Sequence, residues 1–286
     1  MIPLEPIQKV SGLTSEIFQK QFLLPQKPVI LSDLTDDWAA KEKWSLEYFK
    51  ENYGDLLVPV FSSNASKAGK KYMEADQEIP FREYIQTIQK GKTDLRLFLF
   101  NIFKLVPELK DDYQVHTIMD GFYKEFPFTF FGGAGSKVAM HYDIDMSNVF
   151  LTQFDGRKRV VLFDPDQSEY LYRLPFTVAS YIDVDNPDYE KFPALKEVKG
   201  YECIIERGDT LFIPSGYWHY ITYLDAGFSM SQRANDSVIG KVHGAINIAS
   251  HFMVDRGMNK LFGEKWREVK EEIATWRAER TLQKQY

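Results

Sequence analysis

The feature that most restricts this chain is a succession of short apolar runs between about Leu95 and Ala234. FTFFGG, SNVFLTQF, KRVVLFDP, ECIIERGD, DTLFIPS, WHYITYL and GFSMSQ each have strand length and are rich in β-branched and aromatic residues. Gly, Pro and Asp separate them. Many short strands joined by turn signals point to an antiparallel sandwich or barrel. Residues 95–239 are therefore expected to form the core of the molecule.

The flanks read differently. Residues 1–94 mix short strands, KPVILSDL at Lys27 to Leu34 and LLVPVFSS at Leu56 to Ser63, with helical patterns. Ser45 is a good N-cap for SLEYFKEN, and Phe81, Tyr84, Ile85 and Ile88 recur at helical spacing in FREYIQTIQK. From 240 to 286 the chain turns helical, with Phe262, Trp266, Val269, Ile273 and Trp276 on one stripe. That stripe calls for a partner, either the chain's own core or a second copy in a homodimer. The expected architecture is mainly β with flanking helices: a barrel, an N-terminal α/β elaboration packed on it, and a C-terminal helical segment.

Composition narrows the function classes. A net charge of −6 argues against a general nucleic-acid or anionic-membrane binder, which needs cations to neutralise phosphates. No run of the sequence has the length and apolarity of a membrane span. The single cysteine, Cys203, excludes an intrachain disulfide and a cysteine-based zinc site, and reads as a small buried strand residue. A cytoplasmic setting fits this cysteine usage.

Two of the five histidines have a chemical context. In MHYDID, an extended backbone projects His141 and Asp143 to the same face. His219 lies on a later strand, in RGDTLFIPSGYWHYITYL, where Pro214, Ser215 and Gly216 break the run. Two imidazoles and one carboxylate make a facial triad that leaves three octahedral positions open, the arrangement suited to non-haem Fe(II). Zinc more often settles for four ligands with one open position.

The segments HYDIDMSNVFLTQFDGRKRVVLFDPDQSEYLY and GDTLFIPSGYWHYI, with KPVILSDL and WSLEYFKENYGD before them, carry a resemblance. They are similar to the Jumonji-C-type 2-oxoglutarate oxygenases with a cupin-type double-stranded β-helix barrel, nearest to the asparaginyl hydroxylases that act on hypoxia-inducible factor. The resemblance covers most of the chain, to about residue 235. It implies that His141, Asp143 and His219 bind iron and that 2-oxoglutarate is the co-substrate. Lys158 then pairs with its distal carboxylate, and Asn148 helps hold it. A buried dicarboxylate tail needs such a cation to offset its desolvation.

Three departures from that pattern alter the co-substrate pocket. Val138 stands where the relative has a threonine, Phe98 where it has a tyrosine, and Arg233 where it has an asparagine. The first two remove hydroxyls; either Arg233 supplies the lost carboxylate contact, or the changes signal a different 2-oxoacid or an altered orientation of 2-oxoglutarate. Asp145 and Met146 read as a two-residue insertion at the barrel mouth. Tyr142 is expected to face away from the metal, and Trp218 to pack in the core. The implied reaction is hydroxylation of a C–H bond of a protein, peptide or small-molecule substrate. Lysine demethylation would use the same chemistry, but no reader domain or basic tail accompanies the barrel. A metal-binding cupin without turnover is the alternative from another class, and Lys158 is the residue it would not need.

Overall fold

The apolar runs become strands close to their expected positions in the computed structural model, which describes residues 1–62, 75–235 and 237–284. The N-terminal strands are β1 (Leu4–Pro6), β2 (Lys9–Val10), β3 (Val29–Leu31), β4 (Leu57–Val60), β5 (Gln77–Pro80) and β6 (Arg96–Phe100). The run LLVPVFSS thus supplies β4, while its final residue, Ser63, lies outside the described residues. Eight strands follow: β7 (Phe128–Gly132), β8 (Lys137–His141), β9 (Asn148–Asp155), β10 (Lys158–Phe163), β11 (Gly200–Ile205), β12 (Thr210–Ile213), β13 (Trp218–Tyr223) and β14 (Gly227–Ala234). The helices are α1 (Ser15–Phe18), α2 (Ala39–Lys43), α3 (Leu46–Tyr53), α4 (Phe81–Gln89), α5 (Val238–Ala249), α6 (Arg256–Phe262) and α7 (Glu264–Gln283). Ser45 caps α3 as its type predicts, its side chain accepting from the Tyr48 amide.

Strands β7 to β14 are dealt between two facing sheets, β7-β14-β9-β12 and β8-β13-β10-β11, and every neighbour pair in them is antiparallel. This is the cupin-type double-stranded β-helix. N-terminal strands lengthen both sheets: β6 pairs with β7, β3 with β12, and β1 runs parallel to β11. Pairing of this kind covers sheet edges that would otherwise present unpaired backbone groups.

Alternation sorts the side chains. Lys158, Val160 and Leu162 of β10 share one face, and Val160 and Leu162 join Val149, Leu151, Leu211, Ile213 and Ile221 inside the barrel. Their neighbours Val161 and Phe163 face outward and pack with Trp218, Tyr220 and the 171–198 segment. On the other sheet, Phe131, Phe154 and Phe228 turn outward against α3 and α4. Trp218 is fully buried, and its truncation to alanine would cost about 3–5 kcal/mol. Cys203 is buried and free in β11, and burial pushes its thiol up to about 12.

The C-terminal stripe differs from expectation. The buried side chains of α7 are Trp266, Lys270, Ala274 and Ala278, whereas Phe262, Val269 and Trp276 are exposed. Two causes are visible. The small alanines join the cluster formed by the 171–198 segment. Lys270 is drawn inward by buried Asp255, at 2.7 Å, which also accepts from the Trp266 indole at 2.9 Å.

Candidate metal centre

His141 ends β8 and His219 is the second residue of β13; the two are directly paired across the sheet. The ladder slips between His219 and Ile221, which lets both His141 and Val138 reach the interior. Nδ1 of His141 lies 2.8 Å from the Ala139 carbonyl and Nδ1 of His219 lies 3.1 Å from the Tyr217 carbonyl. A carbonyl can only accept, so each Nδ1 carries the proton and each Nε2 presents a lone pair. Those two Nε2 atoms are 3.2 Å apart. Facing lone pairs at that distance repel unless a cation lies between them. Two ligand atoms about 2.1 Å from one metal, at right angles, would be about 3.0 Å apart.

Asp143 completes the set, with one ligand atom from each of His141, Asp143 and His219 all within 4.8 Å of one another. Burial pushes the Asp143 carboxyl upward, but Arg233, His219 and His141 together outweigh it and hold it below its ordinary value. Burial holds His141 below the usual histidine range, and burial with the neighbouring His141 takes His219 down to about 3. Two neutral imidazoles and an ionised carboxylate are the ligand forms a divalent metal requires. The donor set therefore fits iron on the observed geometry.

The loop from 142 to 147 is fastened on several sides. Arg233 Nη2 donates to Asp143 Oδ1 at 2.7 Å, and its Nη1 to Asp145 Oδ1 at 3.2 Å. The Met146 carbonyl accepts from Ser215 Oγ at 2.6 Å and from Asn235 Nδ2 at 3.1 Å, while Met146 itself adopts φ +53°. Tyr142 faces the outer side, edge-on to Trp218 at 4.9 Å, as alternation predicts.

The structure does not bring Asn148 to the interior. Asn148 is paired with Ala234 and Val149 with Arg233, so the inward residue at this level of β9 is Val149. Asn148 Oδ1 instead accepts from the Ser215 amide at 3.0 Å, fixing the turn before His219. Arg233 does face inward, but its guanidinium is engaged by Asp143 and Asp145.

Deeper in the barrel, Lys158 is 1% exposed. Its ammonium donates to Ser229 Oγ and the Phe130 carbonyl and lies 4.3 Å from the centre of the Tyr223 ring. Among the described residues no carboxylate pairs with it, and burial pushes its pKa well below the lysine range. Such an isolated buried cation is costly, and a bound carboxylate would relieve it. Ser231, between Ser229 and Arg233 on the same inward row of β14, has a buried hydroxyl with no partner. The alternation in GFSMSQR could have revealed these serines, since Phe228 and Met230 belong to the outer cluster. Phe98 meets Phe61 edge-on at 4.4 Å. The other histidines lie elsewhere: His116 is stacked on Trp38, while His243 and His251 belong to the C-terminal segment.

A double-stranded β-helix with a two-histidine, one-carboxylate cluster inside one end defines the class: a cupin built to hold a metal. The chain belongs to the cupin-like domain family, whose model matches residues 14–248. That family includes the Jumonji-C oxygenases that use Fe(II) and 2-oxoglutarate. The chain is 33% identical over 237 residues to lysine-specific demethylase 8 of Xenopus tropicalis, covering 79% of this chain and 52% of that protein. It is 30% identical over 258 residues to tRNA wybutosine-synthesizing protein 5 of Gallus gallus, covering 80% of this chain and 77% of the relative. A third relative is arginine-specific demethylase JMJ20 of Arabidopsis thaliana, 26% identical over 264 residues, with coverages of 79% and 56%. The chain spans about half the length of the demethylases it matches. The likeness thus stands at the level of the family, and none of these three relatives carries the name of an asparaginyl hydroxylase.

Proposed function

We propose that this chain is an Fe(II)- and 2-oxoglutarate-dependent dioxygenase that hydroxylates a C–H bond of a protein or peptide side chain. One relationship carries the reading. A site with two opposed histidine lone pairs and an unpaired buried lysine face the same barrel interior, matching the two ends of a metal-chelating dicarboxylate. A cupin that only stored metal would have no use for the cation, since its burial costs stability and no carboxylate among the described residues offsets it.

In this reading His141, Asp143 and His219 hold the iron, and Lys158 with Ser229 holds the distal carboxylate. Arg233 keeps Asp143 ionised and aimed, which is a different task from binding co-substrate. Asn148 acts one step removed, through the Ser215 turn. When bound, iron and 2-oxoglutarate supply the oxidation, in which dioxygen is consumed, succinate and CO₂ are released and one oxygen enters a C–H bond. The protein's share is orientation, and exclusion of water by the apolar wall of Val138, Val149, Leu151 and Ile221.

The demethylases among the relatives favour a protein side chain, since hydroxylation of an N-methyl group is the same step. The tRNA-linked relative means that net charge alone does not exclude a nucleic-acid substrate. The test is incubation with Fe(II), 2-oxoglutarate and peptide pools or tRNA, reading succinate and a one-oxygen mass gain or methyl loss. Succinate coupled to a modified peptide supports the proposal. Coupling to tRNA alone would move the substrate class, and no coupled succinate with any substrate would leave the metal-storing cupin.

The same proposal takes the C-terminal segment as a seam between two copies. Val242, Ile246, Leu261, Phe262 and Trp276 stand exposed there. A second copy docking on this segment would take these apolar side chains out of water.

A further inference from the structure

Strand β8 is the outermost strand of its sheet and ends at His141, so on its free side the backbone depends on what the chain lays against it. A tight hairpin of residues 173–180 takes that place. His141 faces Ala179 across an antiparallel bridge. Two hydrogen bonds clasp the pair, from the Tyr142 amide to the Val178 carbonyl and from the Ser180 amide to the Met140 carbonyl, each 3.0 Å. The hairpin closes on itself where Arg173 pairs with Ser180. Its tip is Leu174-Pro175-Phe176-Thr177, and the Thr177 amide donates to the Leu174 carbonyl at 3.3 Å.

Phe176, directly after the proline of that turn, adopts φ +61°. Proline followed by a positive φ is the arrangement of a type II turn, whose third residue is ordinarily glycine because a Cβ is strained there. A bulky residue in that place must be held by something outside the turn. Helix α7 does this: the Phe176 ring stacks on Trp266, with ring centres 6.0 Å apart and planes at 26°. Trp266 is itself fixed, its indole donating to buried Asp255 at 2.9 Å. Just past the hairpin, Tyr181 Oη donates to the Glu271 carbonyl of the same helix at 3.3 Å. Phe176 is 45% exposed, so the ring adds little to the core and packing does not account for its strain. We propose that Phe176 is a positioning residue for the metal. By pinning the hairpin to α7 it fixes the backbone on both sides of His141, and α7 thereby sets the metal affinity. Metal sites need their ligands held to within about 0.5 Å, which asks for such outside support. This rests on the metal-binding part of the reading above and not on the oxidation.

The experiment compares the full chain with Phe176→Gly, which relieves the turn and removes only the ring, and with Phe176→Tyr, which keeps the ring. Co(II) titration followed by its visible ligand-field spectrum reads the site. Amide hydrogen exchange of the metal-free protein reads the strand. Phe176→Gly should weaken Co(II) binding about tenfold and speed exchange at the Tyr142 and Ser180 amides, while exchange in β10 and β13 stays as in the parent. Phe176→Tyr should restore the parent's affinity and exchange. Unchanged Co(II) affinity in Phe176→Gly overturns the proposal. So does faster exchange spread equally over β10 and β13, which would mark the ring as a general support of the fold. If the unmodified chain takes up no Co(II), the metal reading itself falls and takes this inference with it.

Discussion

Gly244 of α5 lies against the backbone of Asp145, so close that a Cβ on Gly244 would be 2.4 Å from the Asp145 carbonyl oxygen. Asp145 shares Arg233 with the metal-ligand candidate Asp143. The helix that follows the barrel is thus seated directly on the loop that aims the carboxylate. Gly244→Ala should cost about 1–3 kcal/mol, as overpacking does, and weaken Fe(II) binding measurably. Gly257→Ala is the control. It lies in α6 with nothing within 4 Å, and should be neutral or stabilising by up to about 1 kcal/mol. Thermal melts and metal titration of the two variants distinguish a specific seat from a general intolerance of alanine.

Lys158 sets stability against function. Its folded-state pKa is depressed, so carrying its charge in the co-substrate-free barrel is unfavourable. Lys158→Met removes that cost while keeping the stem's volume. We expect a melting temperature raised by about 2–4 °C for each kcal/mol recovered, together with loss of 2-oxoglutarate binding. A destabilised variant would show that Lys158 serves the fold.

His116 predicts an acid-side loss of stability independent of the metal. It is stacked on Trp38 at 4.8 Å, and burial takes its pKa to about 3. The unfolded chain takes up this proton near pH 6.5 and the folded chain only near pH 3, so stability falls as pH drops through that window. Between about pH 6.5 and 5 the loss from this group is about 2 kcal/mol. His116→Phe should flatten denaturant midpoints measured across that range; an unchanged slope would assign the acid sensitivity to other groups.

The C-terminal seam is tested by charge. Val242→Asp and Ile246→Asp place carboxylates on exposed apolar positions of α5. If two copies meet there, light scattering should show the parent at twice the variant's mass. Equal masses for parent and variant would mean that these side chains do not form the seam.

Much of this was legible because it rests on local chemistry. The cap at Ser45, the alternation in KRVVLF that turns Lys158 inward, and the His-x-Asp pair each depend on a few adjacent residues. What escaped depends on partners distant in sequence. The inward face of α7 was decided by Asp255 drawing in Lys270, not by the larger stripe of Phe262, Val269 and Trp276. Val149 rather than Asn148 faces inward because β9 pairs with β12 and β14 in the register that puts Val149 and Leu151 in the interior cluster, and both partner strands are remote in sequence. Arg233 could be read as a cation near the site, but its partner Asp145 appears only once that loop is closed.

The central claim is that the triad and Lys158 bind one ligand system together. Anaerobic titration of the metal-free protein with Fe(II) and then 2-oxoglutarate, followed by the visible metal-to-ligand charge-transfer band, tests it most directly. The account predicts a band that requires both additions and is lost in His141→Ala. Iron bound without any band on adding 2-oxoglutarate would contradict it and leave a metal-holding cupin in its place.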